Sequence, residues 1–428
     1  MADLIELSSR IIDTGSLTER TNRITFELSE VADGLSIVEA FSHIWSIDTG
    51  DGLVLIDASG SQAGSACIDA IRTWREDRVH TIVYTHGHAD HVGGSPAIIA
   101  DGVNRGHATP DVVAHDAVHA RFDRYRETAG LQLAINSRQF GGTKKNPDLM
   151  NAGTGRYIPD DVAVPNITHE SGMELTIGNT HFELHHANGE TDDHTWLWDA
   201  DRKAVYVGDL FMWNFPNAGN PQKVQRFAGD WATALRDMIA KGPELLLPAH
   251  GLPVAGEERV ALVLDASASA LEYLVRETVA LMNEGATLDT IIHSVRLPEQ
   301  FEGLPYLTPT YDEPEFVVRG IYRLYGGWWD GDPSTLHPAP KAALGAEVSA
   351  LAGGAGALAR RALELSQAGE LAVAAHLVEM ATQGDPSNGE VHEIRKQVYS
   401  ARRAAATSLM AKGIYKSAIN SSIEALGE

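Results

Sequence analysis

The stretch Thr85-His86-Gly87-His88-Ala89-Asp90-His91-Val92-Gly93-Gly94 decides how this chain is read. Imidazole nitrogen and carboxylate oxygen are donor types that zinc takes. His86 and His88 stand close enough to clasp one ion from a tight loop, while Asp90 and His91 point elsewhere and suit a second. Gly87 permits the loop geometry, and Gly93-Gly94 lets a following helix approach. The chain has 18 histidines in 428 residues, so a chance cluster in a polar loop is the alternative. The apolar strand before the motif and the paired glycines after it speak for a metal loop.

Working outward, the strand pattern at 80–84 empties directly into the motif. Strand patterns at 44–49 and 53–58 and a helix pattern at 63–76 precede it. A short helix and a strand at 112–115 follow. This alternation puts the ligands at a strand's carboxyl end, where layered α/β folds carry chemistry. Further β patterns fall at 173–177, 181–186, 195–199 and 204–208, then a helix at 231–239 and a strand at 245–250. Residues 1–40 read as an extension that wraps or covers the next domain. Residues 116–162, which run into Gly, Asn and Pro, form a long insertion of the kind that is often a lid, and the sequence leaves its role open. Beyond residue 260 the pattern turns helical, with helices at 260–282 and 287–295. An Ala-rich helical run begins at 339 and breaks at Asp385-Pro386-Ser387. The stretch 301–340 is too aromatic for a free linker and reads as an ordered segment or an interface. The expected division is a β-rich metal domain at 1–265 and a helical domain at 266–428.

Charge narrows the partners. Against 34 Lys and Arg stand 58 Asp and Glu, a net charge of -24. Such a chain repels nucleic acid and anionic membrane, so a small-molecule substrate is expected. An anionic substrate would need local positive compensation. Cys67 is the only cysteine, which excludes an intrachain disulfide and suggests a buried, inert thiol. No basic segment followed by an apolar run opens the sequence, and no window reaches the roughly 18 apolar residues of a membrane span. The cytoplasm is the expected location.

The segment THGHADHVGG resembles the HxHxDH signature of the metallo-β-lactamase superfamily. The resemblance implies an α/β fold: a four-layer αβ/βα sandwich with metals between the sheet edges, here followed by an all-helical domain. It also implies two Zn(2+) per chain, although iron or manganese suits the same donors, and hydrolysis by a metal-bound hydroxide. The remaining ligands are then sought one at a time. In HHANGETDDHTW, 185–196, Glu190 stands where many members carry histidine, which looks like the alkylsulfatase branch. His186 and His194 stay open as rivals, and Asp192 and Asp193 as groups that orient metal-bound histidines. Asp209 ends VYVGD, and His250 lies in PAHG. The implied division is His86, His88 and Glu190 on one ion, Asp90, His91 and His250 on the other, and Asp209 bridging.

A second resemblance covers roughly 270–420. YGGWWDGDPSTLHP, 325–338, and LARRALELSQAGELAVAAHLVEMAT are similar to the alkylsulfatase dimerization domain, which implies a homodimer. The segment LFMWNFPNAGNPQKVQRF, 210–227, departs from that family: it has no histidine, and Asn214, Asn217, Asn220, Lys223 and Arg226 are the groups that could donate to an anionic or carbonyl oxygen. Asp209 also stands where the family's alkylsulfatases put Glu, and their further lipid-transfer-like domain is not in this sequence. The expected substrates are therefore sulfate esters of small or medium organic alcohols, with Asp90, Asn217 and Arg226 as catalytic residues. A carboxylic ester, lactone or amide hydrolase is the rival, and a non-catalytic metal-binding or scaffold module a third reading.

Overall fold

The computed structural model describes residues 3–143 and 156–427. Its first sheet holds, in spatial order, β1 (Leu28–Ala32), β2 (Leu35–Val38), β3 (Ile44–Asp48), β4 (Leu53–Ile56), β5 (Val79–Val83), β6 (Asp111–His115) and β7 (Ile167–His169). Pairing is antiparallel from β1 to β4 and parallel from β4 to β7. Parallel neighbours need a crossover, usually a helix. Gly64–Arg72 crosses from β4 to β5, and Ser95–Asn104 from β5 to β6. The carboxyl ends of β4, β5 and β6 therefore share one edge.

The second sheet is built from β8 (Gly172–Ile177), β9 (Thr180–Ala187), β10 (His194–Asp199), β11 (Ala204–Met212), β12 (Leu245–His250) and β13 (Val254–Ala255). Only β11 and β12 are parallel, joined through helix Ala228–Ala240. That crossover sets β11, which carries Asp209 in its second half, beside β12, which ends on His250.

Two-residue periodicity makes the layers. Trp45, Ile47, Val54 and Ile56 face the core shared with the second sheet. Ile44, Leu53 and Leu55 face outward and pack with Cys67, Ile68 and Ile71 of the first crossover helix. The sheets meet through Trp45, whose Nε1 donates to the Pro248 carbonyl at 2.9 Å and whose ring meets Tyr206 edge-on. Trp231 and Leu235, with Val260 and Leu264 of helix Glu257–Asn283, cover the second sheet's other side. The order is helix, sheet, sheet, helix, as the motif's resemblance implied.

Three expectations change. Residues 1–40 are no simple extension: helix Leu4–Thr14 buries Leu4 and Ile11 in the core, and β1 and β2 complete the first sheet. The boundary at 265/266 falls inside helix Glu257–Asn283, which runs unbroken because Val260, Leu264, Ala268 and Leu271 form one buried stripe. The compact units are instead residues 1–128 with 157–327, and 129–156 with 328–428. The start of the supposed lid is core, since helix Ala117–Glu127 buries Val118 and Phe122. Its 144–155 portion lies outside the described residues.

The second unit is helical in its described residues. Leu358, Ala362, Ala374, Val378, Val391 and Val398 form its core. The break read at 385–387 is real: one helix ends at Gly384, and the next starts at Gly389, capped by Asn388 accepting from the Val391 amide. Within this unit helix Ala129–Gln139 touches Leu409–Leu426 at Gly413, where a Cβ would lie 1.7 Å from the Gln139 carbonyl oxygen.

Candidate metal centre

Strand ends supply the site. Asp57, just past β4, is buried with φ +64°, a left-handed conformation that Asp tolerates better than most residues. Its Oδ1 accepts the Thr85 amide at 2.7 Å, and its Oδ2 accepts the Thr85 hydroxyl at 2.8 Å. Oδ2 also lies 2.7 Å from His91 Nδ1. A carboxylate on Nδ1 keeps the proton there and leaves the Nε2 lone pair facing inward. His250 is set the same way, with Nδ1 2.5 Å from the Phe41 carbonyl. His86 Nε2 and His88 Nδ1 stand 2.8 Å apart.

These side chains form two groups. Ligand atoms of His86, His88, Glu190 and Asp209 lie within 4.8 Å of one another, as do those of Asp90, His91 and His250. Asp209 stands between them. Its Oδ2 is 3.9 Å from His86 Nε2, while its Oδ1 is 3.3 Å from His91 Nε2 and 3.4 Å from His250 Nε2. Asp90 Oδ2 lies 3.7 Å from His91 Nε2 and 3.6 Å from His250 Nε2. The structure thus gathers His86, His88, Glu190 and Asp209 into one candidate group and Asp90, His91 and His250 into another.

The donors fit metal ions. His91 Nε2, Asp209 Oδ1 and Glu190 Oε2 are buried without a hydrogen-bond partner among the described residues, a costly state that a cation relieves. Burial holds His86 and His88 well below the ordinary imidazole pKa, in the neutral form that binds metal. Burial opposes a charge on His91, but Asp209, Asp57 and Asp90 outweigh it and raise its pKa, so these carboxylates favour a positive charge at Nε2 that a metal ion would supply in place of a proton. Burial likewise acts to raise Asp209, yet His91 and His250 hold it ionised. Burial pushes Glu190 up, against the pull of Arg226.

Arg226 and Asn217 both face Glu190. Arg226 Nη1 is 2.5 Å from Glu190 Oε1, and Asn217 Nδ2 donates to the same oxygen at 2.6 Å. Arg226 also donates to the Asn217 carbonyl, while its Nε is buried without a hydrogen-bond partner among the described residues. The rival histidines sit elsewhere. His194 Nε2 accepts the Asp209 amide at 3.2 Å, and His186 stacks on His115 with Nε2 3.0 Å from the Asp192 carbonyl. Asp193 accepts from the Gly87 amide at 3.3 Å and from Arg121. Lys223 lies over the Tyr157 ring, and burial lowers its pKa to about 8. Asp90 is the most exposed of the seven side chains at 35%, with His88 next at 14%.

Sequence reading missed Asp57, Arg121 and His43. His43 Nε2 lies 2.9 Å from the Gly251 carbonyl, beside His250. For Asp57 a signal existed: an acidic residue stands right after a fully apolar strand, LVLI.

Residues 38–250 match the family model described as metallo-beta-lactamase superfamily, and residues 287–423 match that of alkyl sulfatase dimerisation. A linear primary-alkylsulfatase of Pseudomonas sp. (strain ATCC 19151) is 29% identical over 319 residues, which are 72% of this chain and 60% of that protein. An (R)-specific secondary-alkylsulfatase of Pseudomonas sp. is 24% identical over 375 residues, 82% of this chain and 55% of that protein. The chain spans only about half to three-fifths of these curated relatives. The solved stereoselective inverting sec-alkylsulfatase Pisa1 from Pseudomonas sp. shares the fold, with TM-score 0.81 at 23% identity, covering 92% of this chain and 65% of that one.

Proposed function

From the premise that the chain belongs to the metallo-β-lactamase superfamily and its alkylsulfatase-like branch, we propose a binuclear zinc hydrolase of sulfate esters of small or medium organic alcohols. One observation carries the reading. The buried Asp209 lies in one candidate group and 3.3–3.4 Å from two imidazoles of the other, and the candidate later-strand ligand is a carboxylate, Glu190, with an arginine on it. Two zinc ions there would polarise the ester and bring a water's pKa near neutrality.

The chain's own residues do the rest. Asp57 and the Phe41 carbonyl fix two imidazoles so that Nε2 faces the ions. Asn217 and Arg226 hold Glu190 by one oxygen, leaving Oε2 for a metal. Asp90, the most exposed ligand, marks the side from which water and ester enter, and its Oδ2 can accept a water proton there. Arg226 Nε is a buried cationic donor still open to an ester oxygen, the local compensation that a sulfate needs. Lys223 adds positive charge nearby, which Asp90 and Glu190 partly offset. The match of residues 287–423 to the alkyl sulfatase dimerisation model supports a homodimer.

The rival, a carboxylic ester or lactone hydrolase, is favoured by the same arginine: most of its charge faces Glu190 rather than an incoming anion. Turnover of a matched sulfate ester and carboxylic ester of one alcohol decides between them. The expected result is sulfate ester hydrolysis that a chelator abolishes and added zinc restores. Turnover of the carboxylic ester alone would promote the rival.

A further inference from the structure

One ion group depends on two loops that the sheets do not pair. His86 and His88 come from the loop after β5, and Glu190 from the turn between β9 and β10. The same turn carries Asp192 and Asp193. Asp193 is fully buried, and its Oδ2 accepts both the Gly87 amide, at 3.3 Å, and Nε of Arg121. Arg121, 2% exposed on helix Ala117–Glu127, also donates Nη2 to Asp192. The planar guanidinium thus grips two neighbouring carboxylates of one turn, while one of them grips the backbone between the two histidines. Gly87 is required for this close fit. A Cβ there would lie 2.7 Å from Arg121 Cδ and 3.0 Å from Asp193 Oδ2. Tyr125, one helical turn on, completes the contact, with its ring 6.5 Å from that of His88.

The other ion group is held differently. His91 rests on Asp57 and Ser42, and His250 on the Phe41 carbonyl. Neither Arg121 nor Asp193 is among those supports. Resting on the binuclear reading above, we propose that Arg121 and Asp193 are positioning residues for the His86–His88–Glu190 ion alone. Loosening them leaves a chain that still holds the Asp90–His91–His250 ion.

Metal titration with a chromophoric competitor tests this on the full chain. Arg121→Lys keeps the buried charge but loses the two-pronged grip, and Asp193→Asn keeps the shape. Cooperative thermal unfolding of each variant shows that it folds. Wild type is expected to take two ions. Each variant should keep one near wild-type affinity and bind the other at least tenfold more weakly. Removing a ligand of the opposite group identifies which ion is lost. His250→Ala should weaken the other ion, so His250→Ala with Asp193→Asn should hold neither tightly. A double variant that still holds one ion tightly, or equal weakening of both ions in the single variants, would overturn selective support. So would two ions bound unchanged by both single variants. A wild type taking fewer than two ions overturns the binuclear reading itself, and this inference with it.

Discussion

At the scale of single residues, the proposed ligands are held by side chains outside both candidate groups. Asp57 is the clearest, because one carboxylate accepts from Thr85 twice and from His91. Asp57→Asn would keep the volume but put an amide where His91 Nδ1 needs an anion. Loss of such a support commonly costs 10–100-fold in metal affinity. The expected outcome is weakening of that size for the His91 ion, read by competitive titration; unchanged affinity for both ions would refute Asp57's role. The central ligands were legible because His86, His88, Asp90 and His91 are contiguous, so the local pattern carries their chemistry. Glu190, Asp209 and His250 were proposed only through the family resemblance: Glu190 lies in the turn between β9 and β10, Asp209 inside β11, and His250 at the end of β12. The supports were not legible. Asp57 meets Thr85 across 28 positions, Arg121 meets Asp193 across 72, and His43 meets Gly251 across 208. Asp57 carries a local cue, its place right after the apolar LVLI strand, but nothing local names its partner or those of Arg121 and His43, since the fold chooses them.

At the scale of elements, the segment after β11 has no regular structure yet carries Asn217 and Arg226. Asp312 pins it. Its Oδ2 accepts the amides of Gly219, at 2.6 Å, and Asn220, at 3.1 Å. Burial nevertheless raises the Asp312 pKa to about 6, so the charged form is disfavoured despite these bonds. An unfolded aspartate titrates near 3.9. With the folded value the higher one, the fold binds this proton more tightly than the unfolded chain does. The group's penalty is thus present above pH 6 and relieved as pH falls from about 6 to 4, by about 3 kcal/mol at most. Asp312→Asn removes that titration. Its stability relative to wild type should therefore improve between pH 4 and 7, measured by urea unfolding at each pH. A difference independent of pH would show that Asp312 does not titrate in this window. Element boundaries inside the sandwich were legible to within a few residues because the apolar runs are short and bounded. The pairing of β1 and β2 was not. Their sequences, LSEVA and LSIV, sit amid polar neighbours, and only the β3 edge makes strands of them.

At the scale of the whole molecule, the question is how copies of so acidic a chain associate. Two copies, each at -24, repel one another at long range, so a dimer must be held by apolar contact over a short distance. The second unit offers the material. Trp328 is 71% exposed and Leu351 88%, with Leu336 and Leu344 about half exposed, and this is the region matching the alkyl sulfatase dimerisation model. A tryptophan left that open sacrifices the burial that makes it one of the strongest interface anchors, where truncation commonly costs 2 kcal/mol or more. The expected mass by light scattering at micromolar concentration is twice 46.1 kDa. Trp328→Asp puts a further negative charge into the contact and should shift the protein toward monomer by about thirtyfold or more in dissociation constant. Its metal stoichiometry should stay at the wild-type value, because none of the proposed ligands lies in that unit. Salt separates the two forces. Screening at about 0.15 M shortens the reach of the repulsion to about 8 Å and leaves apolar burial nearly untouched, so the wild-type dimer should tighten as salt rises from low values. A dimer that loosens with salt would be held by ion pairs instead, and a wild-type mass of 46.1 kDa would remove the dimer altogether.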